Sequence, residues 1–277
     1  MPNDQDPPQI PEDARFDYQG ACWWCGAVAD SREHKYKKSD VIRQFGKGPW
    51  SGKAALLRVQ EDNPIHQRIR GPDSNGLKFD KSLCQRCNNT RSQPFDYAYD
   101  KLSEYITTTA RRIADGQRFK LSDVYGKNWR DDRDDAVRYF VKHISCRLAD
   151  DRVQVPSALI RFLDGASAKP QGLSLDLSLR LDIFAMEHHL ADVHNIPSGS
   201  LWMGGSQCRY SQSRHQITEL WSHIGFGALR AGYHIDFQGT HYRSNLRRNK
   251  VRVDPEYNID PHTVTEWCQE CSPPKND

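Results

Sequence analysis

The sequence lacks any long apolar stretch. Hydrophobic residues form 37% of its 277 positions, and no stretch reaches the roughly 18 consecutive apolar residues that a membrane-spanning helix requires. The first eight residues, rich in proline and acids, also lack the basic and then apolar order of a secretory signal. We therefore expect a cytoplasmic protein without a membrane partner, in which cysteine thiols stay reduced.

A strong charge of one sign is absent as well. The 39 lysines and arginines nearly balance the 36 aspartates and glutamates, which leaves a formal net charge of +3. Basic residues are nevertheless concentrated in residues 32–53 and 240–253, and the second segment contains no acid. Such segments suit a phosphate backbone, although two solvated faces would give the same composition.

Apolar periodicity indicates helices followed by strands. Apolar residues recur every three or four positions over 95–113 and 137–148, and Ser157 is the candidate cap of a third helix. Leucines that alternate with polar residues over 173–183 predict a long strand with one wet face. Further strands are expected near residues 216–221, 224–228 and 232–237.

These elements predict an α+β protein in four segments. Residues 1–17, with four prolines, form a disordered or loosely docked arm, and residues 273–277 form a tail. Residues 18–115 form a metal-supported module, and residues 116–272 contain helices followed by an antiparallel β-sheet.

Two Cys-x-x-Cys pairs, at Cys22 and Cys25 and at Cys84 and Cys87, dominate the module. In a reducing compartment they fit a closed site of four thiolates, which is structural because no ligand position stays open. We expect these cysteines to bind a structural zinc ion, with the segment between the pairs looping out and returning. A third pair, within residues 268–271, has too few neighbouring ligands and is interpreted as a feature of the tail.

An acid and an imidazole, Glu33-His34, lie between the two pairs, and Asn88 directly follows the second pair. This order resembles the HNH endonuclease family, whose site is a ββα-metal finger on a treble-clef knuckle. The resemblance covers residues 21–95, and the run that starts at Cys87 is similar to that of many uncharacterised bacterial HNH proteins of this size. It implies an N-terminal zinc-supported ββα-metal module with nuclease activity.

The resemblance also implies a role for each of these residues. His34 is the general base, because a neutral imidazole can take a proton from water near pH 7. Glu33 and Asn88 hold one divalent ion, Mg²⁺ or Mn²⁺, since carboxylate and amide oxygens are hard ligands.

One position departs from the family pattern. The family has a middle asparagine shortly before the second pair, which orients the histidine ring, whereas this chain has Phe79 at that place. Asn75, farther upstream, is the candidate substitute, and Asn63 is a weaker one. If neither reaches His34, another group must orient the ring or the site is degenerate.

The expected function is metal-dependent cleavage of DNA, with RNA open as the substrate. Basic residues beside the site are the candidate contacts to flanking phosphates, namely Lys35, Lys37, Lys38 and Arg91. Because one such site cuts one strand, cleavage of both strands would need two sites or a homodimer. The alternative is a non-catalytic zinc module that binds nucleic acid or a protein partner, which the missing middle asparagine favours.

Overall fold

The computed structural model describes residues 10–51, 56–60, 63–194 and 201–256, and these residues form a mixed α+β fold, as the sequence predicts. The helices within them are α1 (Lys38–Phe45), α2 (Gln93–Gly116), α3 (Leu121–Tyr125), α4 (Trp129–Asp150), α5 (Ser157–Leu163) and α6 (Leu181–His194). The strands are β1 (Leu56–Gln60), β2 (Asn63–Ile69), β3 (Arg118–Lys120), β4 (Leu173–Arg180), β5 (Leu201–Met203), β6 (Gln207–Ser211), β7 (Gln216–Phe226), β8 (Leu229–Asp236), β9 (Arg243–Ser244), β10 (Lys250–Arg252) and β11 (Asp254–Glu256). None of the described helices is both long enough and apolar enough to cross a membrane.

The largest sheet has the strand order β11-β4-β8-β7-β5, with β6 also on β7 and β9 also on β4. Its central pairs, β4 with β8 and β8 with β7, are antiparallel. The prediction of a purely antiparallel sheet is wrong at the β4 edge, where β9 and β11 run parallel to β4. β8 ends beside the start of β4, and the chain then crosses to the other edge of β4, where β9 begins at the same end and so runs parallel to β4.

The long strand and the third helix differ in detail from the prediction. β4 ends at Arg180, and Asp182 lies in the first turn of α6, where an acid is favourable. The predicted wet face also ends early, because Ser178 and Arg180 are buried. The cap position of α5 is Pro156 rather than Ser157, and no side chain caps the helix there.

Helix α2 connects the metal-supported module to the rest of the chain. Pro94 lies in its first turn, where the missing N–H leaves no bond unmade. The helix ends at Gly116, and Gln117 adopts the left-handed conformation beyond it. Tyr99 of α2 stacks on Tyr139 of α4 with ring centroids 3.8 Å apart, so the two helices share an aromatic contact.

A single cluster of buried residues extends across the predicted boundary after residue 115. It contains Leu83 and Leu102 from the module and Leu148, Leu175 and Val251 from the remainder, each at most 1% exposed. The two predicted segments therefore share one hydrophobic core.

The predicted N-terminal arm is docked over its described part. The backbone N–H of Phe16 donates to the Arg152 carbonyl oxygen at 2.6 Å, and Asp13 Oδ2 lies 2.9 Å from His215 Nδ1. Residues 1–9 lie outside the described residues, as do the predicted tail 273–277 and the third cysteine pair.

Asn245 joins the large sheet to the segment that follows it, and its loss should weaken the fold. Its Oδ1 accepts from the Leu177 N–H at 3.0 Å, while Nδ2 donates to the carbonyl oxygens of Leu177 and Arg252 at 2.7 and 2.8 Å. We expect Asn245→Ala to lower the free energy of unfolding by about 1–3 kcal/mol, because backbone groups lose their partners. Chemical denaturation measures this change.

The exposed neighbour Arg248 provides the control for Asn245→Ala. Arg248→Ala should change the free energy of unfolding by no more than about 0.5 kcal/mol. Equal stability of Asn245→Ala and the wild type would contradict the joining role of the asparagine.

Candidate metal centre and adjoining site

Four thiols meet at one place in the fold, as the sequence predicts. The sulfur atoms of Cys22, Cys25, Cys84 and Cys87 all lie within 4.8 Å of one another, and Cys25 Sγ is 3.6 Å from Cys84 Sγ. A tetrahedral zinc site with Zn–S bonds near 2.3 Å has sulfur atoms about 3.8 Å apart. The cluster can therefore bind a metal such as zinc.

The first pair sits on a tight turn. Gly26 has φ +76°, a left-handed conformation that favours glycine. Its N–H donates to the Cys22 carbonyl oxygen at 2.8 Å, and the Cys22 N–H donates to the Ala27 carbonyl oxygen at 2.6 Å. The turn thus directs two thiols to the same side.

Cys84 precedes a π-helical turn, Arg86–Arg91, which contains Cys87 and leads into α2. The Cys87 N–H points at Cys84 Sγ at 3.5 Å, and the Arg91 guanidinium lies 3.6 Å from Cys87 Sγ. Burial raises the pKa of the Cys22 and Cys87 thiols. A bound cation and these donors would favour the thiolate form, as in other sulfur-ligated sites.

The segment with Glu33 and His34 runs antiparallel to the segment that leads to the second cysteine pair. Ser31 bridges to Leu83 and His34 to Lys78, and the Phe79 N–H donates to the Glu33 carbonyl oxygen at 2.9 Å. This pairing consists of isolated bridges rather than a continuous strand. The two extended segments are separated in the chain by α1, β1 and β2, and the second of them leads to helix α2.

Glu33 is buried and forms an ion pair that the sequence does not reveal. Lys142 of α4, which is fully buried, places Nζ 2.8 Å from Glu33 Oε2 and 3.3 Å from Asp96 Oδ1. Nζ also donates to Ser92 Oγ at 3.2 Å. Burial lowers the pKa of Lys142, but the two carboxylates raise it more, to about 12, so an ammonium ion contacts the carboxylate predicted to bind metal.

His34 has a ring nitrogen without a hydrogen-bond partner. Its Nε2 is buried and lies 3.7 Å from Asp73 Oδ1, which is too far for a hydrogen bond. Asn75 is exposed at the start of a 3₁₀ helix and does not bond to Nε2. Burial lowers the pKa of His34 even though Glu33 acts in the opposite direction, which favours a neutral imidazole at pH 7.

The side-chain amide of Asn88 is held in one orientation. Its Nδ2 donates to Ser31 Oγ at 2.8 Å and to the Arg32 carbonyl oxygen at 3.2 Å. Because a carbonyl can only accept, these bonds fix which end of the amide is nitrogen. Asn88 Oδ1 is buried and has no hydrogen-bond partner among the described residues, so a lone pair stays available to a cation or a water molecule.

The four predicted phosphate contacts are all paired with acids. Lys35, Lys37 and Lys38 lie 3.3, 2.5 and 2.5 Å from Asp150, Asp96 and Asp73, respectively, and Arg91 pairs with Asp164. The basic charge of this segment is therefore largely neutralised within the fold. Contact with a phosphate would require these side chains to exchange partners.

Lys142, Asp96 and Asp73 belong to this site but do not stand out in the sequence. The only sequence signal is local, because Lys142 and His143 interrupt an apolar run of α4 and are buried together with it. A charged residue within a buried helix face usually has a charged partner. The identity of that partner is set by the fold.

Comparison with known proteins does not assign this chain to a family. Searches against models of protein families, curated proteins and solved structures find no match to this chain. A function must therefore be argued from the four thiols and the side chains beside them.

The buried ion pair between Lys142 and Glu33 makes a specific prediction about stability. Lys142→Met should lower the free energy of unfolding by about 3–5 kcal/mol, because the Glu33 carboxylate is left buried without its cation. The double variant Glu33→Gln/Lys142→Met should recover a large part of that loss. Urea denaturation of the wild type, both single variants and the double variant measures the coupling.

Metal content serves as the control for this cycle, since Lys142 does not contact the thiols. It should stay equal in all four proteins. Strictly additive losses in the double variant would show that Lys142 and Glu33 do not depend on each other.

Proposed function

We propose that this protein is a metal-dependent endonuclease with an HNH-type site that hydrolyses DNA phosphodiester bonds. The observation that carries the proposal is a pair of buried atoms without hydrogen-bond partners, His34 Nε2 and Asn88 Oδ1. Both belong to segments joined to the four-thiol cluster. One atom can accept a proton and the other can bind a cation, which are the two capacities that phosphodiester hydrolysis needs.

Zinc is the proposed occupant of the four-thiol cluster, in a structural role. Four thiolates fill a tetrahedral shell, so no position stays open for substrate. The cluster would hold the turn at Cys22 against the start of the helix that carries Asn88.

Mg²⁺ or Mn²⁺ is the proposed second ion, and the donor set fits it in part. Asn88 Oδ1 offers an open oxygen, whereas Lys142 contacts Oε2 of Glu33 and leaves that carboxylate with its second oxygen as ligand. When bound, a divalent ion stabilises the charge that develops on the scissile phosphate and the leaving oxygen.

His34 is the proposed general base. Its Nε2 would take a proton from a water molecule while the water oxygen forms a bond to phosphorus. The bond from phosphorus to the 3′ oxygen breaks, and that oxygen takes a proton from solvent and leaves as a hydroxyl. The lowered pKa of His34 keeps Nε2 free to accept the proton near pH 7.

A non-catalytic zinc module that binds nucleic acid or a protein partner is the second candidate function. The specific observation in its favour is the ammonium group of Lys142 against Glu33. A cation that is already present lowers the tendency of this carboxylate to bind a second one. Under this hypothesis the protein binds its partner without cleaving it.

Nicking of supercoiled plasmid in the presence of Mg²⁺ or Mn²⁺ separates the two functions. The wild type should convert the plasmid to the open-circular form, and His34→Ala should slow conversion by about 100-fold or more, because the base is lost. Parallel reactions with single-stranded RNA test whether RNA is the substrate.

His241→Ala is the matched control, since His241 is exposed and accepts a hydrogen bond from the Gly172 N–H through its backbone carbonyl oxygen, which the substitution keeps. It should cleave like the wild type. If His34→Ala cleaves as fast as His241→Ala, the assigned base is wrong, and if no variant cleaves either polymer, the binding module is the better function.

Removal of one thiol should release the structural metal. We expect purified wild-type protein to contain about one zinc ion per chain, as a four-thiolate site binds one ion. Cys84→Ser should lose most of it and should melt at a lower temperature, because metal binding and folding are coupled. Elemental analysis and thermal denaturation provide the two measurements.

Cys208→Ser changes a buried thiol outside the cluster and is the control. It should retain the metal. Equal zinc content in the Cys84 and Cys208 variants would place the metal elsewhere.

A further inference from the structure

A two-stranded ribbon on the surface carries positive charge that is mostly unpaired among the described residues. β3 and β10 pair antiparallel, and we call residues 118–120 with 250–252 the basic ribbon. Its central pair, Phe119 and Val251, is buried in the hydrophobic core. The flanking residues alternate to the other face, as in any strand, and are exposed.

Both exposed pairs of the basic ribbon place like charges directly opposite each other. Lys120 faces Lys250, and Arg118 faces Arg252. Directly opposed side chains on neighbouring strands have Cβ atoms about 4.5–5.5 Å apart, where like charges repel. Such repulsion is relieved when an anion lies over the pairs.

The basic ribbon has few acids of its own. Among the described residues, Arg118, Lys120 and Lys250 form no ion pair, and the Arg252 guanidinium has one exposed partner, Asp254, at 2.9 Å. In contrast, the lysines beside Glu33 and His34 each have a carboxylate within 4.0 Å. Compared with those lysines, the ribbon therefore offers more positive charge that is not already paired with a carboxylate.

The basic ribbon is also held rigidly in place. The Val253 N–H donates to the Gln117 carbonyl oxygen at 3.0 Å, and the Leu121 N–H donates to the Asn249 carbonyl oxygen at 2.8 Å. Asn245 fixes the strand from the side through the Arg252 carbonyl oxygen. Little order would have to be created on binding, which favours affinity.

We infer that the basic ribbon binds the phosphate backbone of duplex DNA. Alternate residues of one strand are about 6.7 Å apart, twice the rise per residue. Phosphates of one DNA strand advance by about 3.4 Å per nucleotide along the axis and also wind around it, so neighbouring phosphates are about 7 Å apart and match the spacing of the two cation pairs. The choice of DNA rests on the proposed function, whereas the capacity to bind phosphates does not.

Lysines on exposed strand edges have another known role, which is to prevent edge-to-edge aggregation. This role needs charge on the edge but no ligand. A variant that keeps charge on both strands while it removes the paired cations distinguishes the two roles.

Lys120→Glu is that variant, because it converts a repulsive pair into an attractive one. Its thermal midpoint should equal or exceed that of the wild type, which excludes misfolding as a cause of lost binding. The dissociation constant for a labelled duplex, measured by fluorescence anisotropy without divalent ions, should rise about tenfold. The slope of log affinity against log salt should fall in magnitude by about one.

Lys169→Glu makes the same change of net charge at an exposed lysine outside the ribbon. It should leave the salt slope unchanged. Equal effects of the two variants would overturn the inference, since only overall charge would then matter, and so would unchanged affinity of Lys120→Glu. Binding of the wild type to vesicles of anionic phospholipid but not to duplex DNA would also overturn it.

The same assay in the His34→Ala background keeps binding separate from cleavage. If ribbon variants bind like the wild type while His34→Ala abolishes nicking, the ribbon inference falls and the nuclease stands. If the ribbon governs binding while no variant nicks DNA, the nuclease falls and the binding surface stands.

Discussion

The meeting of two distant turns at four thiols is the contact on which the rest of this site depends. The turn at Cys22 and the turn at Cys84 come together with sulfur atoms within 4.8 Å, and neither turn is part of the large sheet. The chain from the first turn leads to Glu33 and His34, and the chain from the second leads to Asn88. A metal at the cluster would therefore set the relative position of the His34 ring and the Asn88 amide oxygen.

A second constraint comes from α4, which inserts a buried ammonium group beside this cluster of segments. Lys142 contacts Glu33 and Asp96, and the carboxylates keep it charged despite full burial. A buried ion pair costs desolvation and is weak evidence for stability, but removal of one partner strongly destabilises the fold because the other charge stays buried without a partner. The contact thus ties the position of Glu33 to α4, and it makes the remaining oxygen of Glu33 the relevant ligand for any divalent ion.

Local patterns in the sequence predict the parts of the structure that depend on local physics. Cys-x-x-Cys spacing predicts each turn, apolar periodicity predicts α2 and α4, and the acid–imidazole pair marks the segment beside the cluster. The partner of Glu33 could not be predicted, because Lys142 is remote in the chain and reaches Glu33 only through the packing of α4. The end of β4 at Arg180 was missed because alternation continues through residues that start a helix.

The charge of a segment in the sequence likewise differs from the charge that it presents after folding. The segment after His34 is basic in sequence, but the fold brings Asp150, Asp96 and Asp73 to its lysines. The segment after residue 240 is also basic, and its pairing with β3 adds two more cations instead of acids. Two segments with similar composition thus have opposite electrostatic outcomes. The cations that keep no carboxylate partner after folding, rather than those that are densest in the sequence, decide where a phosphate can be attracted, and on this criterion the basic ribbon differs from the lysines nearest His34.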